Sequence, residues 1–117
     1  MKIKLSGIYI ITNKPTKKYY IGMSTDIFGR WSSHYSHIKI HKHTSPKFFE
    51  LWSKSNPTDW SFEILEVVSI TEYKLATSFK GSRLTTEFRK HLVSREKWWM
   101  GQYPKAGCLN QNDKFFK

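Results

Sequence analysis

Long apolar runs are missing from this sequence. No stretch approaches the roughly 18 apolar residues of a membrane span, so no transmembrane segment is expected. The opening Met1-Lys2-Ile3-Lys4-Leu5 has too little apolar sequence for an export signal, and cytoplasmic residence is the default expectation. Cysteine occurs once, as Cys108, which excludes an internal disulfide, a stapled secreted scaffold and a cysteine-only zinc site. Internal repeats, low-complexity tracts and a linker long enough to divide the chain are also lacking. Acids are scarce: 9 Asp and Glu face 20 Lys and Arg, for a net charge of +11 over 117 residues. Such a field favours a polyanion, and nucleic acid ahead of an anionic membrane. The apolar fraction is only 38%, yet 8 Phe, 5 Trp and 6 Tyr supply large buried areas. At this length folding buries about 65% of the unfolded surface, enough for the core of one domain.

The pattern along the chain predicts an α+β fold. Residues 5–12 and 18–23 read as strands joined by a turn at Asn13-Lys14-Pro15-Thr16, a hairpin that sets Tyr9 roughly across from Tyr20. Ser24-Thr25-Asp26 offers cap residues for a helix over 26–39, with Ile27, Trp31, Tyr35 and Ile38 along one apolar stripe. Pro46 opens a short helix faced by Phe48, Phe49, Leu51 and Trp52, and a third strand follows over 60–68. Ser69 and Glu72 fit a capping box, 77–83 reads as a basic loop, and a long helix is expected from Thr85 to Gln102.

Two helical stripes carry candidate chemistry. Arg30, His34, His37 and His41 lie on a face about 100° from the apolar stripe of the first helix. With His43 these histidines invite a zinc site, but no Cys is near, and proton-dependent positive charge is the simpler reading. In the last helix Phe88, Leu92, Trp99 and Tyr103 keep helical spacing, and Glu96 occupies the remaining place among them. A carboxylate there is costly without a partner. A salt bridge to Arg30, a rim position, a metal ligand and an acid–base group all remain open.

Taken together, these residues resemble the GIY-YIG nuclease family. Gly7-Ile8-Tyr9 and Tyr20-Ile21-Gly22 match its two signature tripeptides, with the tyrosines 11 residues apart. Arg30 follows Tyr20 by 10 residues, His34 follows one helical turn later, Glu96 stands in Arg-Glu-Lys-Trp-Trp-Met, and Asn110 fits the family's C-terminal asparagine. The resemblance covers about residues 5–110. The segment from Lys42 to Val68 most resembles the phage and intron homing group.

The resemblance implies a three-stranded antiparallel sheet flanked by helices, and an endonuclease that hydrolyses double-stranded DNA with one divalent ion, Mg²⁺ or Mn²⁺, held by Glu96. A hard cation keeps several waters, so one carboxylate can suffice. It further implies Tyr9 as general base with Tyr20 beside it, Arg30 on the phosphate, His34 as donor or proton carrier, and Asn110 as an orienting group. A phenol is a poor base unless a cation favours its phenolate, and Arg30 or a metal-bound water network is expected to do so. A restriction or repair enzyme would keep this chemistry, and a non-catalytic basic module is the rival outside it. With 1–117 read as one nuclease domain without a separate recognition region, DNA is expected to meet loops 40–45 and 77–83. Lys42, Lys80, Arg83 and Arg89 are the expected backbone contacts, away from Tyr9, Arg30 and Glu96. A homodimer or an additional recognition protein would supply further contacts.

Overall fold

The computed structural model describes residues 5–32 and 46–110. His34, His37, His41, Lys42 and His43, with Tyr35 and Ile38 of the expected first stripe, lie outside the described residues. Strands β1 (Gly7–Asn13), β2 (Tyr19–Ser24) and β3 (Trp60–Val67) form an antiparallel sheet in the order β2-β1-β3. The central β1 is Ile-rich and buried on both faces, as a strand covered by helices must be. Its turn into β2 is closed by Asn13, whose Oδ1 accepts from Thr16 N at 3.1 Å and from Thr16 Oγ1 at 2.7 Å.

Helix α1 is described over residues 27–32. Asp26 caps it: its Oδ1 accepts from Gly29 N at 3.2 Å, while the Ser24 hydroxyl accepts from Asp26 N at 2.9 Å. α2 (Pro46–Ser53) begins on the proline expected to open it. After one turn of 3-10 helix (Pro57–Asp59) and β3 comes α3 (Ile70–Thr77), with Glu72 N donating to the Ser69 hydroxyl at 3.2 Å.

The basic loop is shorter than the sequence suggested. α4 runs Gly81–Met100, starting four residues before Thr85, so Arg83 stands in its first turn and the connection shrinks to 78–80. The glycine read as a loop residue initiates the helix, adopting a φ of 57° just after the extended Lys80.

Each face of the sheet has its own core. Tyr9 and Ile11 point to one side, where they meet Ile27, Phe48, Trp60 and Leu109, flanked by Tyr20, Trp31, Trp52, Phe62 and Ile64. Ile8, Ile10, Tyr19 and Ile21 face the other, against Met100 with Trp99, Tyr103 and Leu65 around them. α1 and α2 therefore cover one face and α4 the other. Val68, Phe88 and Leu92 extend the second layer toward Tyr73 of α3. The Phe88, Leu92, Trp99 and Tyr103 stripe packs inward as its spacing required.

The register differs from the expectation in one respect. Tyr9 pairs with Gly22, and Tyr20 pairs with Ile11, so the two tyrosines are diagonal neighbours on one face. The longer turn shifts the pairing by two residues, which preserves the face while moving the partner. It also explains Gly22: a methyl there would lie 2.5 Å from Tyr9 Cζ, so the Tyr9 ring occupies the space that glycine leaves. Gly7 serves the other neighbour of β1. Its φ of 155° sits next to the bulge at Ile8/Tyr9, and a side chain would collide with the Glu66 carbonyl of β3.

Gly22→Ala should destabilise the fold by about 1–3 kcal/mol, the range for overpacking a filled interior, and should displace the Tyr9 ring. Urea denaturation measures the first effect and the aromatic NMR shifts of Tyr9 the second. A midpoint and spectrum like the parent's would show that the ring does not need this space.

Candidate active site

The outer edge of β2 organises the site. Edge strands expose backbone groups that need partners, and here three alternate residues find them in distant parts of the chain. Tyr19 N donates to Gly107 O at 2.9 Å and Tyr19 O accepts from Leu109 N at 2.7 Å. Two residues on, the Asn110 side chain takes over: its Oδ1 accepts from Ile21 N at 3.0 Å and its Nδ2 donates to Ile21 O at 2.7 Å. Two further on, Met23 N–H donates to the Glu96 carboxyl of α4. The second tripeptide is thus held from outside by Asn110, and Glu96 is drawn from the helix on one face around to the sheet edge.

On the opposite face α1 delivers Arg30. Its guanidinium donates hydrogen bonds to the hydroxyls of both Tyr9 and Tyr20. Tyr9 is fully buried, its ring edge-on to Trp31 at 6.1 Å between centroids. Tyr20 is half-buried against Phe48 at 5.4 Å. The structure therefore brings Tyr9, Tyr20, Arg30 and Glu96 into one electrostatic cluster, with Asn110 one strand position from Tyr20.

The charges in this cluster are set mainly by burial. Desolvation pushes the Tyr9 phenol well above its ordinary value and raises the Tyr20 phenol as well; the Tyr20 phenol adds to the rise at Tyr9, and Arg30 opposes it at both. Arg30 acts toward the phenolate at both tyrosines, but removal from water is the larger effect, so its charge alone does not produce one in the free protein. Burial acts to lower the Arg30 pKa, and its contacts with the two phenols outweigh that and hold it raised. Glu96 is pushed up to about 7 by burial, against the lowering effects of the Met23 N–H and the Arg30 charge. Its neighbour Arg95 turns the other way and pairs with Glu66 of β3 at 2.8 Å, where Trp99 Nε1 also donates at 2.9 Å. That contact ties α4 to β3, while the buried Phe88, Leu92 and Met100 set which side of the helix meets the sheet.

A cleft of about 320 Å³ opens at the Met23 end of β2, lined by Met23, Ser24, Thr25, Arg30, Arg89 and Leu92. Arg89 does not lie away from the cluster, as its position in sequence suggested. It stands 7 residues before Glu96, two helical turns on the same side of α4, and that spacing was available in the sequence. Ser24 and Thr25, read as cap residues, line the same opening, whereas the Met23 N–H had no sequence signal. Lys80 and Arg83 are exposed near the start of α4, with Arg83 over the Phe79 ring at 4.5 Å.

Residues 5–105 match the GIY-YIG catalytic domain, and the chain belongs to that family. No curated protein matches the chain. Among solved structures it resembles the catalytic domain of the homing endonuclease I-TevI, with 23% identity and a TM-score of 0.69 over 92% of this chain and 99% of that one. A glutamate-to-alanine variant of the intron endonuclease I-TevI catalytic domain gives 23% identity and a TM-score of 0.71, covering 97% of this chain and 99% of its own. The likeness extends to the three-stranded sheet and its helices.

The raised Glu96 pKa has a measurable consequence for stability. Between its ordinary value of 4.5 and about 7 the folded protein holds a proton that the unfolded chain releases. This carboxyl's contribution is therefore fully present at low pH and lost as pH rises through about 7. In divalent-free buffer Glu96→Gln should gain in urea midpoint relative to the parent between about pH 5 and about pH 8. A difference independent of pH would show that Glu96 titrates as an ordinary carboxylate.

Proposed function

We propose that this chain is a divalent-metal-dependent endonuclease of the homing type, hydrolysing phosphodiester bonds in double-stranded DNA, with residues 1–117 forming one nuclease domain. The observation that carries the reading is a single guanidinium, Arg30, hydrogen-bonded to the tyrosines of both tripeptides at a cleft also lined by Met23, the partner of Glu96.

The residues present suit a hard cation. Among the described residues no group of three or more His, Cys, Asp or Glu converges, so Glu96 would be the side chain that holds the ion, with water completing its shell. A carboxyl whose proton is retained up to about 7 by desolvation gains its charge back when a cation replaces that proton. Bound there, Mg²⁺ or Mn²⁺ supplies positive charge to the phosphate and to the departing 3′ oxygen.

The chain's own groups would divide the remaining work. Arg30 presents a planar fork to phosphate oxygens, and its hydrogen bonds to Tyr9 and Tyr20 fix the fork before substrate arrives. Tyr9 and Tyr20 are held as phenols in the free protein, which lets them orient a water; to act as base in the substrate complex Tyr9 would first release its hydroxyl proton to His34 or solvent and then, as phenolate, accept the proton of the attacking water. His34 would donate to the phosphate or carry a proton. Asn110 keeps the Tyr20–Gly22 strand in place and positions the site without contacting the reacting atoms. Lys42, Lys80, Arg83 and Arg89 would contact the DNA backbone.

Purified protein should nick supercoiled plasmid with Mg²⁺ and not with EDTA. Glu96→Gln should abolish nicking while keeping the fold, and Arg30→Lys should lose roughly 10²–10³ in rate, the scale for removing one oriented donor at a developing charge. Full activity of Glu96→Gln, or Arg30→Lys within about threefold of the parent, would remove the assigned role of that residue.

Neutralising Lys80 and Arg83 together should weaken binding to all duplexes alike and lower the log–log salt slope by up to about 2. Turnover of fully bound DNA should change little, because these side chains position the duplex. Binding measured against salt for several duplex sequences checks this; an unchanged slope would place both residues off the backbone.

A further inference from the structure

Beside Arg30, the cleft at the end of β2 holds a second cation that the nuclease reading does not itself use at the reacting phosphate. Its lining comprises two guanidiniums, Arg30 and Arg89, two hydroxyl side chains, Ser24 and Thr25, and two apolar ones, Met23 and Leu92. No carboxylate among the described residues lines it. Two other clefts among the described residues differ in this respect, one carrying Glu50 among its lysines and the other Glu66 and Glu72. Two cations with hydroxyl donors and an apolar wall match an anion that carries a nonpolar body, the chemistry of a phosphate with its sugar.

The two guanidiniums reach the cleft from different directions. Arg30 comes from α1 on the Tyr9 face, and Arg89 from α4 on the other face. Arg30 is held by two phenol oxygens. Arg89 is exposed, and none of the ion pairs among the described residues engages it. Its position is two turns of α4 from that of Glu96, on the order of 10 Å along the axis, which leaves Arg89 room to meet a phosphate other than the one beside Glu96. The Ser24 hydroxyl already accepts from Asp26 N, which leaves its proton free to donate into the cleft.

We propose that Arg89 binds the backbone phosphate next to the scissile one, so that the cleft takes two consecutive phosphates of one strand, Arg30 on the first and Arg89 on the second. The proposal rests on the nuclease reading for the identity of the first phosphate. The site itself, a bisphosphate-binding cleft, can be tested without cleavage. Arg89 then selects the direction and register of the strand, and it binds by charge and bidentate geometry with no information about base sequence.

The probes are thymidine 3′,5′-bisphosphate and thymidine 5′-monophosphate, titrated into the full chain by calorimetry in divalent-free buffer. The unaltered protein should bind the bisphosphate at least tenfold more tightly. Arg89→Ala should bring the two affinities to within twofold while changing the monophosphate affinity little, and Arg89→Lys should restore only part of the difference. Lys74→Ala, which removes one exposed positive charge from α3, should keep the tenfold preference. Arg89 is exposed, so its variants are expected to fold, and their urea midpoints check this. Equal affinities in the unaltered protein, a preference that survives in Arg89→Ala, or an equal loss in Lys74→Ala each overturns the proposal. Metal-dependent plasmid nicking, measured separately, decides the nuclease reading: nicking with an unaffected preference sinks the Arg89 assignment alone, and the expected preference without nicking sinks the nuclease reading alone.

Discussion

The unpaired edge of β2 is the constraint on which the site depends. A sheet of three strands has two edges, and the backbone groups along them must find partners. β2 meets this need at alternate residues with three different devices: backbone pairing at Tyr19, the Asn110 amide at Ile21 and the Glu96 carboxyl at Met23. Only the last brings an ionisable group, and it does so where the strand gives way to the Ser24–Asp26 cap of α1. The same few residues therefore end a strand, start the helix that carries Arg30 and hold Glu96.

Burial then determines what those groups can do. Arg30 and Glu96 approach from opposite faces of the sheet, and between them lie two phenols in surroundings poor in water. Desolvation keeps the phenols protonated, raises Glu96 to about 7 and strengthens every contact that Arg30 makes. A site of this kind is poised: charge brought in by a cation or a phosphate shifts protonation states that water would otherwise have fixed. The hydrogen bonds holding Arg30 would also lower the entropy that the proposed phosphate contact costs it.

Packing elsewhere serves mainly to aim these side chains. Gly22 is small so that the Tyr9 ring can lie across β2, and Gly7 adopts a backbone shape that lets β1 pass close to Glu66. Burial of Phe88, Leu92 and Met100 sets which side of α4 faces the sheet, and the Glu66–Arg95–Trp99 contact ties the helix to β3, with Arg89 at the cleft. A single net-basic field would attract DNA in many orientations. The proposed contacts from guanidiniums on two helices would narrow that to a defined approach.

Much of this was legible in the sequence because it is local. Alternation in residues 5–12, 18–23 and 60–68 specified the strands and their faces, caps and prolines marked the helix starts, and helical spacing put Phe88 and Leu92 inside and Glu96 among them. The paired tripeptides with Arg30, Glu96 and Asn110 named the family, since those residue types at those separations are a property of the chain itself. What tertiary structure decided is relational. The hairpin register moved Tyr9 opposite Gly22, because turn length fixes which residues pair while the face pattern tolerates a shift of two. Asn110 was legible as a candidate, but only the path of residues 107–110 along β2 shows that its side chain pairs with Ile21 as a strand would. The protonation of Tyr9 and Glu96 likewise depends on how much water the assembled core excludes, and no spacing in the sequence measures that.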